Sequence, residues 1–205
     1  MSVAGYPAVL AEGDVVLRPY RRSDAAQWSE VRRYNERWLR PWEVTPPGTW
    51  EETNSPAAFR IVRRSLKAGV RAGESMPFAI CLGPDRLVGH IGLGNIVRRA
   101  FSSAYCGYWI DSRAAGKGIM PTALALLVDH AFSAARLHRV EVNIRPENKA
   151  SRRVVEKLGF REEGYHPHYM YIDGAWRDHV GYAVTWEDVA AEGGLLARWR
   201  RIRAG

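Results

Sequence analysis

The sequence predicts an α+β fold of about seven strands flanked by about four helices. Three observations carry this. Short apolar runs bounded by glycine, proline and aspartate recur along the chain as strands do, while four longer segments carry apolar residues at helical spacing or open on a capping residue. No Pro/Gly/Ser-rich linker divides the 205 residues, so they are expected to share one core.

Taken in order, "DVVLRPY" (14–20) reads as a first strand. A polar helix follows, opened by Ser23 or Asp24 and stopped at about Arg40 by Pro41. "PWEVTPPGTW" is a loop by its prolines and glycine, and residues 51–72 form a second helix with Phe59, Val62, Leu66 and Val70 at buried spacing. "FAICL", "LVGHIGLGNIV" and "SSAYCGYWI" are three strands on short connections, hence an antiparallel meander. From Lys117 to about Arg136, Met120, Leu124, Leu127, Val128, Ala131 and Phe132 mark a helix packed on that sheet. "HRVEVNI" adds a strand, Asn148 caps a short helix that Gly159 ends, and "REEGYHPHYMYI" and "WRDHVGYAV" close the sheet around the turn at Asp173 and Gly174.

Composition narrows the function classes. With 46% hydrophobic and 25% charged residues the chain reads as soluble, and no apolar run approaches the roughly 18 residues of a membrane span. The N-terminus lacks the basic and long apolar regions of a secretory signal, so a cytoplasmic location is expected. Cys81 and Cys106 lie in apolar strand runs and read as reduced core thiols; the histidines show no metal-ligand spacing, and no metal is implied. The formal charge of +8 favours anionic partners, whether nucleic acid, a phosphorylated cofactor or a ribonucleoprotein surface. Part of it sits in "ARWRRIRAG", where Arg198, Arg200, Arg201 and Arg203 surround Trp199, either as a solvated helix end or as a contact to RNA.

The stretch most specific to chemistry is "DSRAAGKGIM" (111–120), between a strand and a helix. A glycine loop opening a helix turns backbone N–H groups and a positive helix end towards one spot, which suits phosphate. Gly116 and Gly118 let the backbone approach an anion, and Arg113 and Lys117 add charge; an ordinary strand-to-helix turn with solvated basic residues fits the same pattern.

"GYWIDSRAAGKGIMPTALALLVDHAF" followed by "LHRVEVNIRPENKASRRVVEKLGFREEGY" resembles the two signature segments of the GNAT superfamily of acyl-coenzyme A N-acyltransferases. The resemblance covers about residues 12–186, leaving 187–205 as a basic C-terminal tail, and implies a mixed, splayed central sheet and acetyl-coenzyme A as cofactor. It further implies that the backbones of Trp109, Ile110 and Asp111 hold the thioester and pantetheine arm, and that Arg113, Ala115, Gly116, Lys117, Gly118 and Ile119 line the pyrophosphate. Within the superfamily, "RRYNERWLRPWE" and "GYHPHYMYIDGAWRDHVGYAV" are similar to the RimJ-type ribosomal-protein alanine N-acetyltransferases, which implies a protein N-terminus as acceptor.

Acetyl transfer needs a neutral amine, support for the developing oxyanion and a proton for the departing thiolate. By resemblance Asn148 holds the pantetheine arm and Ser151 faces the sulfur as candidate acid, since the position where some relatives carry a tyrosine acid is Val155; a helix cap needs the same Asn and Ser. Glu141 and Asn143 share one strand face; by resemblance Glu141 corresponds approximately to a basic carboxylate of some family members, and a water relayed by Asn143 or Glu141 is a candidate to take the amine proton, although a surface or salt-bridged Glu141 fits the alternation equally. Asp178 and His179 are adjacent on a strand and therefore face opposite sides, which argues against a dyad. Tyr34, Trp38 and Trp42 are candidate walls of the acceptor groove or packing between helices. Two other readings are a small-amine acetyltransferase and a non-catalytic ribosome- or RNA-associated protein of this fold; a monomer or homodimer suits all of them.

Overall fold

The computed structural model describes residues 3–205. Its frame is an eight-stranded sheet in the order β1-β2-β3-β4-β5-β6-β8-β7. The strands are β1 (Leu10–Glu12), β2 (Val15–Arg18), β3 (Met76–Leu82), β4 (Arg86–Val97), β5 (Ser103–Ile110), β6 (Arg139–Ile144), β7 (Arg161–Ile172) and β8 (Ala175–Thr185). The helices are α1 (Ala25–Tyr34), α2 (Glu36–Leu39), α3 (Trp50–Thr53), α4 (Pro56–Ala72), α5 (Ile119–Ser133), α6 (Lys149–Lys157), α7 (Trp186–Ala190) and α8 (Leu195–Ala204). The expected meander β3-β4-β5 and the closing hairpin β7-β8 are present, and β5-β6 is a parallel pair, so the sheet is mixed as the resemblance implied.

Alternation sorts the core into two layers. On β3, Phe78 and Ile80 join the large core around α5, whereas Ala79 and Cys81 turn to the other face, under Trp28 and Val31 of α1 and Phe59 of α4. Both cysteines are buried free thiols. Helix α5 is buried on every side from Ile119 to Val128 because it lies between the sheet and α8. No helix among the described residues is long and apolar enough to cross a membrane.

The elements depart from expectation in places, each for an identifiable reason. β1 is a three-residue hairpin partner of β2, too short to show a period, which raises the strand count to eight. The predicted helix over 51–72 is split because Pro56 forces Ser55 out of the helical region (φ −73°, ψ 160°); the Ser55 hydroxyl then accepts from Ala58 N–H at 3.1 Å, and Pro56 opens α4. Phe59 is buried as expected, whereas Val62, Leu66 and Val70 are half-buried. The first helix breaks at Asn35, whose amide donates to Asp111 Oδ1 at 3.0 Å and accepts from Ser112 N–H at 2.9 Å. That break ties α1 to the glycine stretch.

The stretch expected as a basic tail is instead folded onto the core. Leu195 and Trp199 of α8 are buried, and its first turn is capped by Asp129 of α5, which accepts from the N–H groups of Leu195 (2.7 Å) and Leu196 (3.0 Å). Three of its four arginines find partners within the protein: Arg198 and Arg201 on Glu192, Arg200 on Glu12.

Candidate active site

β5 pairs with β4 along its length but with β6 only from Ser103↔Arg139 to Tyr105↔Glu141. Beyond Tyr105 the two strands part, and the notch between them is the organising feature of the site. Asp111 N–H donates to Val88 O at 2.8 Å, so by strand alternation the backbones of Trp109 and Asp111 are committed to β4, while those of Tyr108 and Ile110 face the notch. The expectation that Trp109, Ile110 and Asp111 all offer their backbones is thereby corrected. The Ile110 carbonyl itself accepts from Trp38 Nε1 at 3.0 Å.

A cleft of about 750 Å³ opens on one side of the notch, lined by Ala114, Ala115, Gly116, Gly118, Ile119 and Met120 of the glycine turn and by one face of α6. Gly116 and Gly118 have φ of 76° and 77°, the left-handed region that glycine tolerates, and a Cβ at Gly116 would meet nothing within 4 Å. Among the described residues, the N–H groups of Gly116, Gly118, Ile119 and Met120 donate to no protein acceptor. Unpaired donors at a helix N-terminus, in a cleft with space before them, fit an anionic group such as a pyrophosphate.

The side-chain charge of the turn is arranged differently from expectation. Arg113 points away: it grips the buried Asp111 carboxylate, bonds Glu30 at 2.9 Å and lies 4.3 Å from the centre of the Tyr34 ring. Burial works against the Asp111 carboxylate, but hydrogen bonds from Arg113 and Asn35 outweigh it and hold its pKa below the ordinary value. Lys117 Nζ folds back onto Arg113 O at 2.9 Å. Both basic residues therefore brace the turn. Positive charge reaches the cleft from Lys149, Arg153 and Lys157, spaced four apart on the face of α6 opposite the turn. Sequence reading passed over these three, although that spacing was the signal.

Asn148 and Ser151 are brought together at the start of α6, where Asn148 Oδ1 accepts from Ser151 N–H at 3.0 Å as a helix cap. Ser151 Oγ donates to the Tyr108 hydroxyl at 2.8 Å. Burial pushes the Tyr108 phenol above its ordinary pKa, so it stays protonated. Tyr108 was not singled out from sequence; no local pattern announces a contact between β5 and α6.

On the other side of the notch lies a second cleft of about 880 Å³. Arg32 anchors its wall: it is 7% exposed, has Trp50, Trp109 and Trp28 ring centres within 4.7, 5.2 and 5.6 Å, and bonds Asn54 Oδ1 at 2.7 Å and the Glu43 carboxylate. The segment after α2 roofs this cleft by bridging to the β7-β8 hairpin, with Val44 paired to Ile172 and Gly174 N–H donating to Thr45 Oγ1 at 2.8 Å. Asn143 lines it and donates to the Tyr169 hydroxyl at 3.3 Å. His179 lines it too; its Nδ1–H donates to Arg177 O at 3.0 Å, which leaves Nε2 as the acceptor, and burial lowers its pKa so that it is neutral. Asp178 faces away towards Tyr165 and His168, so no Asp-His dyad forms, as strand alternation required.

Glu141 does not reach this cleft. Its carboxylate is bound by Arg139 Nε at 2.8 Å and Ser103 Oγ at 3.3 Å, because β5 and β6 are still paired at its level. Of the aromatic candidates, Trp42 lines both clefts, Trp38 lies on the glycine-turn side, and Tyr34 is exposed under Arg113 and lines neither.

Trp42, Glu43, Tyr108, Trp109, Asn148 and Ser151 line both clefts. A donor held on one side and an acceptor on the other meet at those residues, which is what a group-transfer enzyme requires. Comparison gives the kind of group: residues 14–161 match the acetyltransferase (GNAT) domain, and the chain belongs to that family. The [ribosomal protein uS5]-alanine N-acetyltransferase of Escherichia coli (strain K12) is 32% identical over 176 residues, covering 85% of this chain and 89% of that one. Among solved structures, Mycobacterium smegmatis RimJ in complex with CoA-disulfide superposes with a TM-score of 0.92 at 38% identity, covering 97% of this chain and 96% of that one. The ribosomal-protein-S5-alanine acetyltransferase of Vibrio fischeri gives 0.78 at 28% identity, covering 88% and 98%.

Proposed function

We propose that the chain transfers an acetyl group from acetyl-coenzyme A to the N-terminal amine of a ribosomal protein, as its uS5-alanine N-acetyltransferase relative is named for doing. The observation that carries this reading is the meeting of the two clefts at the Ser151–Tyr108 hydroxyl pair.

Acetyl-coenzyme A supplies the acyl group as a thioester; the protein's part is to hold it, position the amine and move protons. The free N–H groups of Gly116, Gly118, Ile119 and Met120 take the pyrophosphate, with Ala115 beside them and Lys149, Arg153 and Lys157 opposite. The backbones of Tyr108 and Ile110 and the side chain of Asn148 flank the pantetheine arm. An α-amine has an ordinary pKa of about 8, so a sizeable fraction is neutral at about pH 7 and a weak acceptor for its proton suffices. His179 Nε2 serves as that acceptor, with Asn143 orienting the amine or an intervening water. Ser151 turns its O–H from the Tyr108 hydroxyl to the departing thiolate, gives up that proton, and takes one back from solvent water before returning to Tyr108.

Incubation with acetyl-coenzyme A and a synthetic peptide bearing the N-terminal sequence of uS5, followed by mass spectrometry, tests the assignment. Acetylation of the α-amine and none of an amine-blocked peptide is the expected result. Turnover of polyamines or aminoglycosides with the peptide untouched would replace the acceptor while leaving the acetyl chemistry in place.

A further inference from the structure

The C-terminal helix is joined to both walls of the glycine-turn cleft. On the α5 side, the buried Trp199 donates its Nε1–H to Thr122 Oγ1 at 2.8 Å, and the same Thr122 hydroxyl donates to Gly118 O at 2.9 Å. Thr122 N–H reaches that carbonyl as well, at 3.1 Å. The Gly118 carbonyl is therefore fixed by two donors, and a hydroxyl with its single proton committed to Gly118 is free to accept from the indole. The ring itself lies below the turn: a Cβ built on Gly118 would sit 3.5 Å from Trp199 Cζ2, and Trp199 is among the residues lining the cleft. On the α6 side, Arg198 Nη1 donates to Leu158 O at 3.1 Å, at the end of the helix that carries Lys149, Arg153 and Lys157. Asp129 of α5 caps the start of α8, so the helix cannot slide relative to either wall without breaking these bonds.

We propose that Trp199 is a positioning residue for the donor site: through Thr122 it locks Gly118 in its left-handed conformation and so sets the direction of the N–H groups that receive the pyrophosphate. This rests on the reading of residues 116–120 as the pyrophosphate cradle. Holding that peptide rigid matters because hydrogen bonds to a charged oxygen fall off steeply with misalignment, and a turn with φ above zero on both glycines has other conformations open to it.

The test uses the full chain with the conservative variants Trp199→Phe, which keeps an aromatic ring and removes the indole donor, and Thr122→Val, which keeps the branched shape and removes the hydroxyl that accepts from Trp199 and donates to Gly118 O. Affinities for coenzyme A and for ADP are measured by calorimetry, and steady-state rates on the uS5 peptide are compared for acetyl-coenzyme A and acetyl-pantetheine, which lacks the pyrophosphate. Each variant is expected to bind coenzyme A and ADP about five- to tenfold more weakly, to raise KM for acetyl-coenzyme A by the same factor, and to leave KM for acetyl-pantetheine as in the parent. The double variant is expected to match Thr122→Val within about twofold, because losing the Thr122 hydroxyl already removes both the indole contact and the bond to Gly118 O. Unchanged coenzyme A affinity in the folded variants, or equal losses with both acyl donors, would overturn the proposal and leave α8 a packing element. Failure of the unmodified protein to bind coenzyme A or ADP would instead overturn the cradle reading itself, and the positioning role with it.

Discussion

The two clefts are built by opposite means. The proposed donor side is made largely of backbone: two glycines in the left-handed region, a helix N-terminus, and N–H groups with no partner among the described residues, all within residues 115–120. The acceptor side is made of side chains gathered from across the chain: Arg32 among Trp28, Trp50 and Trp109, a roof from the segment around Val44, and Asn143 and His179 from two strands. A backbone cradle recognises a chemical group shared by every molecule of the donor, and a few contiguous residues specify it. A side-chain cleft recognises a particular partner, and its parts can be exchanged separately without disturbing the fold that holds the donor.

Breaking the donor side should have the largest effect. Gly118→Val puts a β-branched residue at φ 77° and turns the adjoining N–H groups away, and is expected to weaken coenzyme A binding by about a thousandfold or more while the protein stays folded, as measured by calorimetry and thermal melting. At the junction, Ser151→Ala removes the proposed proton donor and should lower kcat about a hundredfold with little change in KM for the acyl donor; Tyr108→Phe should follow in the same direction, more weakly. A normal kcat in Ser151→Ala would assign that proton to water.

The acceptor side has its own signature in acid. His90 borders the second cleft, bonded to the Tyr20 hydroxyl at 3.1 Å; burial first, and then Arg32, lower its pKa from 6.5 to about 4. The unfolded chain therefore takes up this proton before the folded one does, so the associated stability is complete above about pH 6.5 and is lost as the pH falls towards 4. At about pH 5 the loss should be about 2 kcal/mol relative to neutral pH, read from denaturant melts, and His90→Gln should remove that slope. The smallest effect sharpens the comparison from outside both clefts. Glu141→Gln leaves the notch untouched and should change kcat by less than about twofold, with at most about 1 kcal/mol of stability lost with its Arg139 pair. A large fall in rate would return Glu141 to the proton path.

The same contrast explains what could be read in advance. The meander, the capped start of α6 and the glycine turn are written in neighbouring residues, and hydrophobic period and turn chemistry suffice to find them. The helix break at Ser55 is written beside it, in Pro56, whereas the break at Asn35 is less visible, because an asparagine that leaves a helix to hold Asp111 and Ser112 gains its reason from a partner 76 residues away. Arg113 was legible as a cation at the turn, but its direction depended on Glu30, Tyr34 and Asp111, only one of which is nearby in sequence. Likewise "ARWRRIRAG" reads as a charged end until Asp129 and Thr122 supply the contacts that bury its tryptophan. The resemblance to the acetyltransferases directs attention to the glycine turn because the family shares a local motif there. It gave less for the acceptor cleft, where Arg32, Trp50 and His90 come together only in the folded chain.

The central claim is that backbone N–H groups of the glycine turn, and not the arginine beside them, receive the donor. Titrating coenzyme A into isotopically labelled protein and following amide resonances tests it residue by residue. The account predicts that Gly116, Gly118, Ile119 and Met120 show the largest shifts, with the Arg113 side-chain Nε–H little changed because it stays on Asp111. Saturable binding that moves Arg113 and leaves those four amides still would contradict it.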